Sequence, residues 1–385
     1  MKRHSLTSSV FPEFGATARM KAALALCLAL SALALAPSGT ARGATITPFD
    51  VPAAGTGAQQ GTIASTINDV GAITGNYVDS SNVNHGFLRA PDGTFTTFDV
   101  TGAGTGLGQG TTPFSINLAG TITGESDDAS NVRHGFLRAP DGTITIFDAP
   151  GAGTGANQGT VGFGINLAGA IVGVYIDGSN AQHGFLRAPD GTITTVDAPG
   201  AGTGANQGTG AGSINSAGVV AGGYIDANNV RHSFMRAADG TITTFDAPGA
   251  GTGADQGTGG GSINSVGEVT GSYIDANTVF HGYLRSPNGK FTSFDAPGAG
   301  TGINLGTFSS GINVKGAITG FYTDANFVYH GFLRAHNGKI TTFDAPGAGT
   351  NSPQGTVSYS INSAGVIAGF YQDGNGVSHG LLRTP

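Results

Sequence analysis

The sequence predicts an all-β chain folded as a seven-bladed β-propeller with four antiparallel strands in each blade. Three observations predict this fold: a 49-residue repeat that occurs seven times, four β-rich runs in every repeat, and an offset between the two ends of the chain. A ring in which the N-terminal strand completes the last blade accounts for all three, because ring closure leaves no open sheet edge.

The repeat is visible in two residue types that keep one spacing along the chain. Histidines recur every 49 residues at His85, His134, His183, His232, His281, His330 and His379. Aspartates keep the same period at Asp50, Asp99, Asp148, Asp197, Asp246, Asp295 and Asp344. Seven such units make 343 residues, the length from Gly43 to Pro385, and we predict one domain over residues 44–385.

Residues 210–253 show the order of elements within one unit. The β-rich runs GAGSIN, VVAGGYI, VRHSFMR and TITTFDA alternate with turns, and a glycine-rich joint, PGAGTG, leads to the next unit. Pairs such as Asp92-Gly93 supply the positive φ that tight hairpins need. The chain begins with a fourth-type strand near Thr45 and ends with a third-type strand near Arg383. The first strand therefore supplies the piece that the last unit lacks.

Residues 1–43 have the features of a secretory signal peptide. An apolar run at residues 22–37 follows Arg19 and Lys21 and precedes small residues. The run has 16 residues, fewer than the ~20 needed to cross a bilayer. We therefore predict export to the periplasm or the extracellular space without a membrane span. A start at Met20 would make residues 1–19 an upstream extension.

Composition limits the partners of the mature chain. Residues 1–43 hold five basic residues and one acidic residue, so their removal changes the net charge from −7 to −11. This charge argues against nucleic acid and anionic lipid as partners. The single cysteine, Cys27, lies in the apolar run, so no internal disulfide is expected after cleavage. The joint GAGTGANQG lacks the spacing of nucleotide-binding loops, and no cofactor is predicted. We expect a monomer.

One segment of the repeat resembles a known family. His85-Gly86-Phe87-Leu88-Arg89, preceded by Ile67-Asn68, Gly71 and Gly75, resembles the bacterial extracellular HAF-repeat family, named for a His-Ala-Phe tripeptide. The resemblance extends over all seven units, with Gly or Ser in place of the middle Ala. It implies a secreted, propeller-like repeat protein and brings no catalytic residues with it.

The recurring histidines and aspartates are interpreted as a structural polar network. In each unit the two side chains come close across one hairpin, and a buried polar side chain requires a partner. We predict a His–Asp hydrogen bond in every unit, and neither catalytic nor metal sites. The arginine that ends each motif, such as Arg89, is interpreted as an ion-pairing residue. Turn aspartates such as Asp79 are interpreted as Asx turns and not as Ca²⁺ ligands.

Positions at which the repeats differ are better candidates for function. Units five and six place Phe280, Phe327 and Tyr329 where other units have mostly polar residues. An exposed aromatic patch would stack on a sugar ring or anchor a protein, so these three residues are the predicted ligand-binding site. Neutral variation on solvated turns is the alternative.

Three functions remain open from the sequence. The first is a secreted, non-enzymatic binding or interaction module for an extracellular glycan or protein, because no asymmetric cluster of acid, base and nucleophile is evident. The second is a lectin-like, multivalent carbohydrate binder with equivalent sites between blades. The third is a hydrolase or lyase acting at the channel, for which the off-pattern residues are Glu125, Glu268 and His336.

Overall fold

The structure, a computed structural model, describes residues 43–385. The predicted signal peptide, including Cys27, lies outside the described residues except for Gly43. Within the described range, regular structure consists of β-strands joined by turns. No helix in residues 43–385 is long and apolar enough to cross a membrane.

After a first strand, seven units follow one another; units one to six have strands of a first, second, third and fourth type, and unit seven has the first three types. The first strand is β1 (Thr45–Phe49). Unit one contains β2 (Gly61–Ile67), β3 (Ile73–Val78), β4 (Asn84–Arg89) and β5 (Phe95–Phe98). Unit two contains β6 (Gly110–Ile116), β7 (Ile122–Asp127), β8 (Arg133–Arg138) and β9 (Ile144–Phe147). Unit three contains β10 (Gly159–Ile165), β11 (Ile171–Ile176), β12 (Gln182–Arg187) and β13 (Ile193–Val196). Unit four contains β14 (Gly208–Ile214), β15 (Val220–Ile225), β16 (Arg231–Arg236) and β17 (Ile242–Phe245).

The remaining units keep this order with two local differences. Unit five contains β18 (Gly257–Thr258), β19 (Ser262–Ile263), β20 (Val269–Ile274), β21 (Phe280–Arg285) and β22 (Phe291–Phe294). Unit six contains β23 (Gly306–Ile312), β24 (Ile318–Thr323), β25 (Tyr329–Arg334) and β26 (Ile340–Phe343). Unit seven contains β27 (Gly355–Ile361), β28 (Ile367–Gln372) and β29 (Ser378–Thr384). In unit five the first-type strand is therefore split in two, and β1 supplies the fourth-type strand of unit seven.

The predicted seven-bladed propeller is wrong. Separate blades would each form a sheet of their own, whereas all 29 strands belong to one hydrogen-bonded sheet. One edge of β4 is shared: Gly86–Arg89 pair antiparallel with β5, and Asn84 pairs in parallel with Gly110 of β6. The same pairing joins Gly61 of β2 to Ser378 of β29. The chain therefore forms a closed, mixed β-barrel of 21 strands, with the fourth-type strands attached to it.

A glycine makes each parallel junction between units possible. Gly110 has a φ of 119°, and a Cβ atom there would collide with the backbone carbonyl of Asn84. The corresponding glycines have φ values of 111–128° at Gly61, Gly159, Gly208, Gly257, Gly306 and Gly355. Only glycine adopts this backbone without strain. The hairpin pattern of the sequence predicts strands within a unit, but this inter-unit contact depends on a backbone conformation that the pattern does not reveal.

A closed belt of asparagines links the units at the end of their first-type strands. Each asparagine donates from Nδ2 to the backbone carbonyl of the asparagine in the next unit, over 3.0–3.4 Å. The seven residues are Asn68, Asn117, Asn166, Asn215, Asn264, Asn313 and Asn362, all buried. The last of these bonds returns from Asn362 to Asn68. The ring is therefore closed twice, by the hydrogen bonds between strands and by the side-chain hydrogen bonds of the asparagine belt.

The apolar core lies between successive units. Phe87 is fully buried and contacts Ile67 and Ile73 of its own unit, together with Phe49 of β1 and Ala368 of unit seven. Phe49 lies edge-on to Phe87, with ring centroids 6.4 Å apart. Burial of one such aromatic side chain contributes roughly 1.5–3 kcal/mol. The junction of the chain ends is thus part of the core.

Candidate functional site

Two alternating sets of residues line the first-type strands. Thr62 and its six equivalents are all threonine, and each hydroxyl accepts a hydrogen bond from a backbone N–H eleven residues earlier. The next residue, Ile63, belongs to a series that differs in almost every unit. Successive residues of a strand point to opposite faces. One face of the strand is therefore structural, and the other is free to vary.

The residues that vary occur on paired strands. Ile63 of β2 lies opposite Asn76 of β3. We call these two series the variable positions; from unit one to unit seven they are Ile63, Thr112, Val161, Gly210, Gly259, Phe308 and Val357 on the first-type strands, and Asn76, Glu125, Val174, Gly223, Ser272, Phe321 and Phe370 on the second-type strands. Because the repeat fold does not require particular residues at the variable positions, these positions are candidates for function.

Variable positions from three consecutive units enclose a cavity of about 410 Å³. Its lining residues come from units seven, one and two: Tyr359, Phe370, Ile63, Ser65, Asn76, Asn84, Gly108, Thr112, Phe114, Glu125, Asp127 and Arg133. The volume is within the range typical of small-molecule sites, roughly 300–1,000 Å³. We take this cavity as the candidate site.

Unit two contributes the charges of the cavity. Arg133 Nε lies 3.7 Å from Glu125 Oε2 and 3.8 Å from Asp127 Oδ1. The three side chains are 33%, 15% and 19% exposed, respectively. Burial raises the pKa of the Asp127 carboxyl, and the Coulomb attraction of Arg133 opposes this effect. With both carboxylates ionised, the group carries one net negative charge.

Amides and aromatic rings complete the lining. Asn76 Nδ2 donates to Asn84 Oδ1 over 2.8 Å, and Asn84 Nδ2 donates to the carbonyl of Gly108 over 2.9 Å. Phe114 of unit two and the pair Tyr359–Phe370 of unit seven supply aromatic surface, with ring centroids 5.7 Å apart in that pair. Polar groups of unit one thus lie between aromatic groups of its two neighbours.

Unit five differs from the other units where its first-type strand is split into β18 and β19. Tyr283 replaces the phenylalanine of most other units, and its hydroxyl donates to the carbonyl of Gly259 over 3.1 Å. Ser233 Oγ donates to the same carbonyl over 2.7 Å. Burial raises the pKa of Tyr283 to about 12. The two hydroxyls bond the Gly259 carbonyl, while the Gly259 N–H donates to the carbonyl of Ser272 over 2.9 Å, so these residues are structural.

The structure places every predicted histidine beside its predicted aspartate. The shortest His Nδ1 to Asp oxygen distance in each unit is 2.9–3.0 Å, including the pair of His379 with Asp50 at the junction of the chain ends. The Nε2 atom lies 3.5–3.9 Å from the turn aspartate of the same unit, such as Asp79. In six units the imidazole stacks on a tyrosine, with centroids 4.8–4.9 Å apart. Unit two has Ser126 at that position.

This network is less buried than its sequence interpretation assumes. The side chain of Asp99 is 53% exposed, and that of His85 is 22% exposed. Solvent therefore competes for these hydrogen bonds and reduces their net contribution to stability. No group of three or more His, Cys, Asp or Glu side chains within residues 43–385 is arranged to hold a metal ion.

The predicted aromatic ligand site does not form one exposed patch. Phe280 is only 5% exposed and lies against Phe308, with centroids 4.3 Å apart. Tyr329 is half-buried and meets Phe321 edge-on at 5.6 Å. Phe327 alone is well exposed, at 46%, on a turn where its φ is 62°. The expectation of exposure is wrong for Phe280 because the first residue of β21 points toward neighbouring aromatic side chains.

The motif arginines form contacts other than the predicted ion pairs. In six units the guanidinium lies over a phenylalanine ring of the preceding unit, or of β1, 4.6–5.0 Å from its centroid. Arg138, for example, lies over Phe98. The turn aspartates do form Asx turns, since Asp79 Oδ1 accepts from the N–H groups of Ser81 and Val83.

The three off-pattern residues considered for catalysis do not converge. Glu125 lines the cavity. Glu268 accepts a hydrogen bond from Asn264 Nδ2 over 2.8 Å, and both Glu268 and His336 border Gly316, which lies in the turn between β23 and β24 of unit six. Only Glu125 therefore belongs to the candidate site. Sequence reasoning identified Glu125 but not its neighbours, although the alternation of an invariant threonine with a variable residue was visible in the repeat.

Comparison with known proteins gives a structural similarity only. No family model matches the chain, and no curated protein matches it. The lectin BP39L from Burkholderia pseudomallei has a TM-score of 0.50 at 9% identity, with 84% of this chain and 98% of that chain covered. TolB from Acinetobacter baumannii has a TM-score of 0.42 at 10% identity, with 89% and 80% covered. A puromycin hydrolase has a TM-score of 0.48 at 10% identity, and the chain spans about half of its length. At these identities the similarity to the lectin concerns the fold alone.

Proposed function

We propose that the chain is a non-enzymatic binding module whose ligand occupies the cavity between units seven, one and two. One observation carries this proposal: the residues that break the sevenfold pattern on paired strands meet in a cavity that combines aromatic surface with Glu125, Asp127 and Arg133. A concave site with apolar walls and a few polar groups is the usual form of a ligand site. Export, predicted from residues 1–43, would place this module outside the cytoplasm.

The asymmetry of the cavity favours one site per chain over seven equivalent sites. In unit three the variable residues Val161 and Val174 are buried in an apolar cluster with Phe163. In unit four the corresponding residues are Gly210 and Gly223, which offer no side chain. The repeated His–Asp pairs are alike in all units, but they already satisfy one another. A multivalent lectin would need equivalent lining residues, which these positions lack.

A thermal-shift screen with a library of small metabolites tests the proposed site. A ligand present at 100 times its Kd stabilises the folded state by about 2.7 kcal/mol, so ligands are expected to raise the Tm of the wild-type chain. Phe114→Ala and Glu125→Gln should remove these shifts. The control Phe327→Ala, which changes an aromatic residue outside the cavity, should keep them. Shifts that persist in both cavity variants would place the binding site elsewhere.

A hydrolase is the second candidate, because Glu125 and Asp127 bring two carboxyl groups into one cavity. Burial raises the pKa of Asp127, and a carboxyl group with a raised pKa is a suitable general acid. Both groups, however, lie within 4 Å of the same Arg133 nitrogen, an arrangement that favours ionised carboxylates. Product formation from any bound compound, abolished in Glu125→Gln, would establish the enzymatic alternative.

A further inference from the structure

The polar groups of the cavity include both donors and acceptors of hydrogen bonds. Arg133 lines the cavity together with Glu125 and Asp127, and its guanidinium can only donate hydrogen bonds whereas the carboxylates can only accept them. A hydroxyl group can accept from the guanidinium and donate to a carboxylate at the same time, whereas an ammonium group can only donate. The cavity therefore suits a ligand with hydroxyl groups better than an amine.

The charges of the cavity disfavour an anionic ligand. Two carboxylates face one guanidinium, and like charges brought together in a partly buried site repel each other. Ser65 and Thr112 add uncharged hydroxyls to the lining. Acidic sugars and phosphorylated compounds are thus poor matches, and neutral polar groups are good ones.

Aromatic groups line the cavity on the side of unit two and on the side of unit seven. Phe114 contacts Phe163, with centroids 5.6 Å apart, and Tyr359 contacts Phe370 on the side of unit seven. Aromatic rings present flat apolar faces, and the C–H faces of a pyranose ring are apolar while its rim carries hydroxyls. A sugar ring can meet the aromatic flanks with its faces and the polar groups with its rim.

We infer, on the basis of the proposed function, that the ligand is a neutral saccharide. It binds once per chain, with Glu125 accepting hydrogen bonds from its hydroxyls and Phe114 packing against a ring face. Glu125 and Phe114 set the specificity of the site, because no other unit has a glutamate or the same pair at these two positions.

Isothermal titration with a defined set of probes tests the ligand class. The neutral probes are cellobiose, maltose, lactose and N,N′-diacetylchitobiose; digalacturonic acid is the anionic probe and choline the cationic probe. At least one neutral disaccharide is expected to bind with a stoichiometry of one per chain. Glu125→Gln and Phe114→Ala should each weaken this binding by about tenfold or more.

The variants are chosen to fold and have matched controls. The residues equivalent to Phe114 in units four and five are Gly212 and Gly261, so the ring accepts a small residue there. The other glutamate of the described chain, Glu268, lies outside the cavity, so Glu268→Gln is the control for charge. Phe327→Ala is the control for aromatic surface. Both controls should bind the disaccharide as the wild-type chain does.

The outcomes separate the ligand class from the site. One outcome is that choline or digalacturonic acid binds, that the cavity variants lose this binding, and that no neutral disaccharide binds. This outcome would overturn the saccharide class and leave the proposed function intact. Disaccharide binding that Glu125→Gln and Phe114→Ala do not change would overturn both. Failure of all four neutral probes would also count against the class, while the metabolite screen still decides the function.

Discussion

Removal of one asparagine from the belt should destabilise the whole ring. Asn117 is 1% exposed, its Nδ2 donates to the carbonyl of Asn166 over 3.1 Å, and its Oδ1 accepts from the N–H of Thr121 over 3.0 Å. Asn117→Ala leaves the partly buried N–H of Thr121 without its partner and removes one of two hydrogen bonds at the carbonyl of Asn166, which still accepts from the N–H of Gly169 over 3.1 Å. The unsatisfied N–H costs about 1–3 kcal/mol and the lost hydrogen bond about 1 kcal/mol, so we expect a loss of about 2–4 kcal/mol.

Urea unfolding followed by circular dichroism and tyrosine fluorescence measures this loss. The control is Asn228→Ala, since Asn228 is an exposed turn residue whose Nδ2 donates only to Asp226, and we expect a change below about 0.5 kcal/mol there. If Asn117→Ala and Asn228→Ala differ by less than 0.5 kcal/mol, the belt does not stabilise the ring and the reasoning is refuted.

Asn117→Asp separates the donor of the belt from its acceptor. An aspartate keeps the acceptor for Thr121 but, when ionised, has no hydrogen to donate to Asn166. Burial beside a carbonyl raises the pKa of such a carboxyl, so the destabilisation relative to wild type should grow as the pH rises from 5 to 7. Equal destabilisation at both pH values would contradict a role for the donated hydrogen bond.

Three further perturbations follow from the scaffold. Gly208→Ala places a Cβ against a backbone carbonyl at a φ of 112°. We expect this variant to lose about 2 kcal/mol or more of unfolding free energy in urea. The control Gly374→Ala, whose added Cβ would have no neighbouring atom within 4 Å, should leave the unfolding free energy almost unchanged. Tyr283→Phe removes one of two donors to the Gly259 carbonyl and should cost about 1 kcal/mol; no measurable loss of stability would contradict this role. The hydrogen bond from the backbone N–H of Val132 lowers the pKa of Asp128 in the folded chain. The ionised carboxylate therefore stabilises the folded state above its unfolded pKa near 4. This stabilisation is lost as the pH falls through the lower folded pKa. Asp128→Asn should therefore flatten the dependence of unfolding free energy on pH below about 4, as measured by urea titrations between pH 2 and 5.

The local elements of this fold follow from the sequence, and the global connection does not. Turn signals such as Asp92-Gly93 and alternating apolar residues specify hairpins, because they act between residues close in the chain. The pairing of Asn84 with Gly110 depends on a φ of 119° and on backbone groups; Gly110 and its equivalents recur every 49 residues, but a recurring glycine does not reveal which strand it will pair with. Hence the four strand types were predictable, but the continuous barrel was mistaken for a ring of separate blades.

The candidate site was only partly predictable for a similar reason. Glu125 stands out in the sequence because glutamate is rare in this chain. Its approach to Arg133 depends on the register of β7 and β8, and its proximity to Tyr359 depends on closure of the ring. The buried position of Phe280 was not predictable from a turn pattern, since it requires knowledge of Phe308 in the next unit.

The scaffold and the site use the same strands without competing for residues. The glycine junctions, the threonine hydroxyls and the asparagine belt bind each unit to the next through residues that all seven units share. None of these contacts needs a side chain at a variable position. Because alternate residues face opposite sides of a strand, unit two can carry Glu125 where unit four carries Gly223 without loss of strand pairing. The contacts that close the ring therefore do not depend on the residues that line the cavity. The ligand preference can change through substitutions in one unit while the other six units maintain the fold.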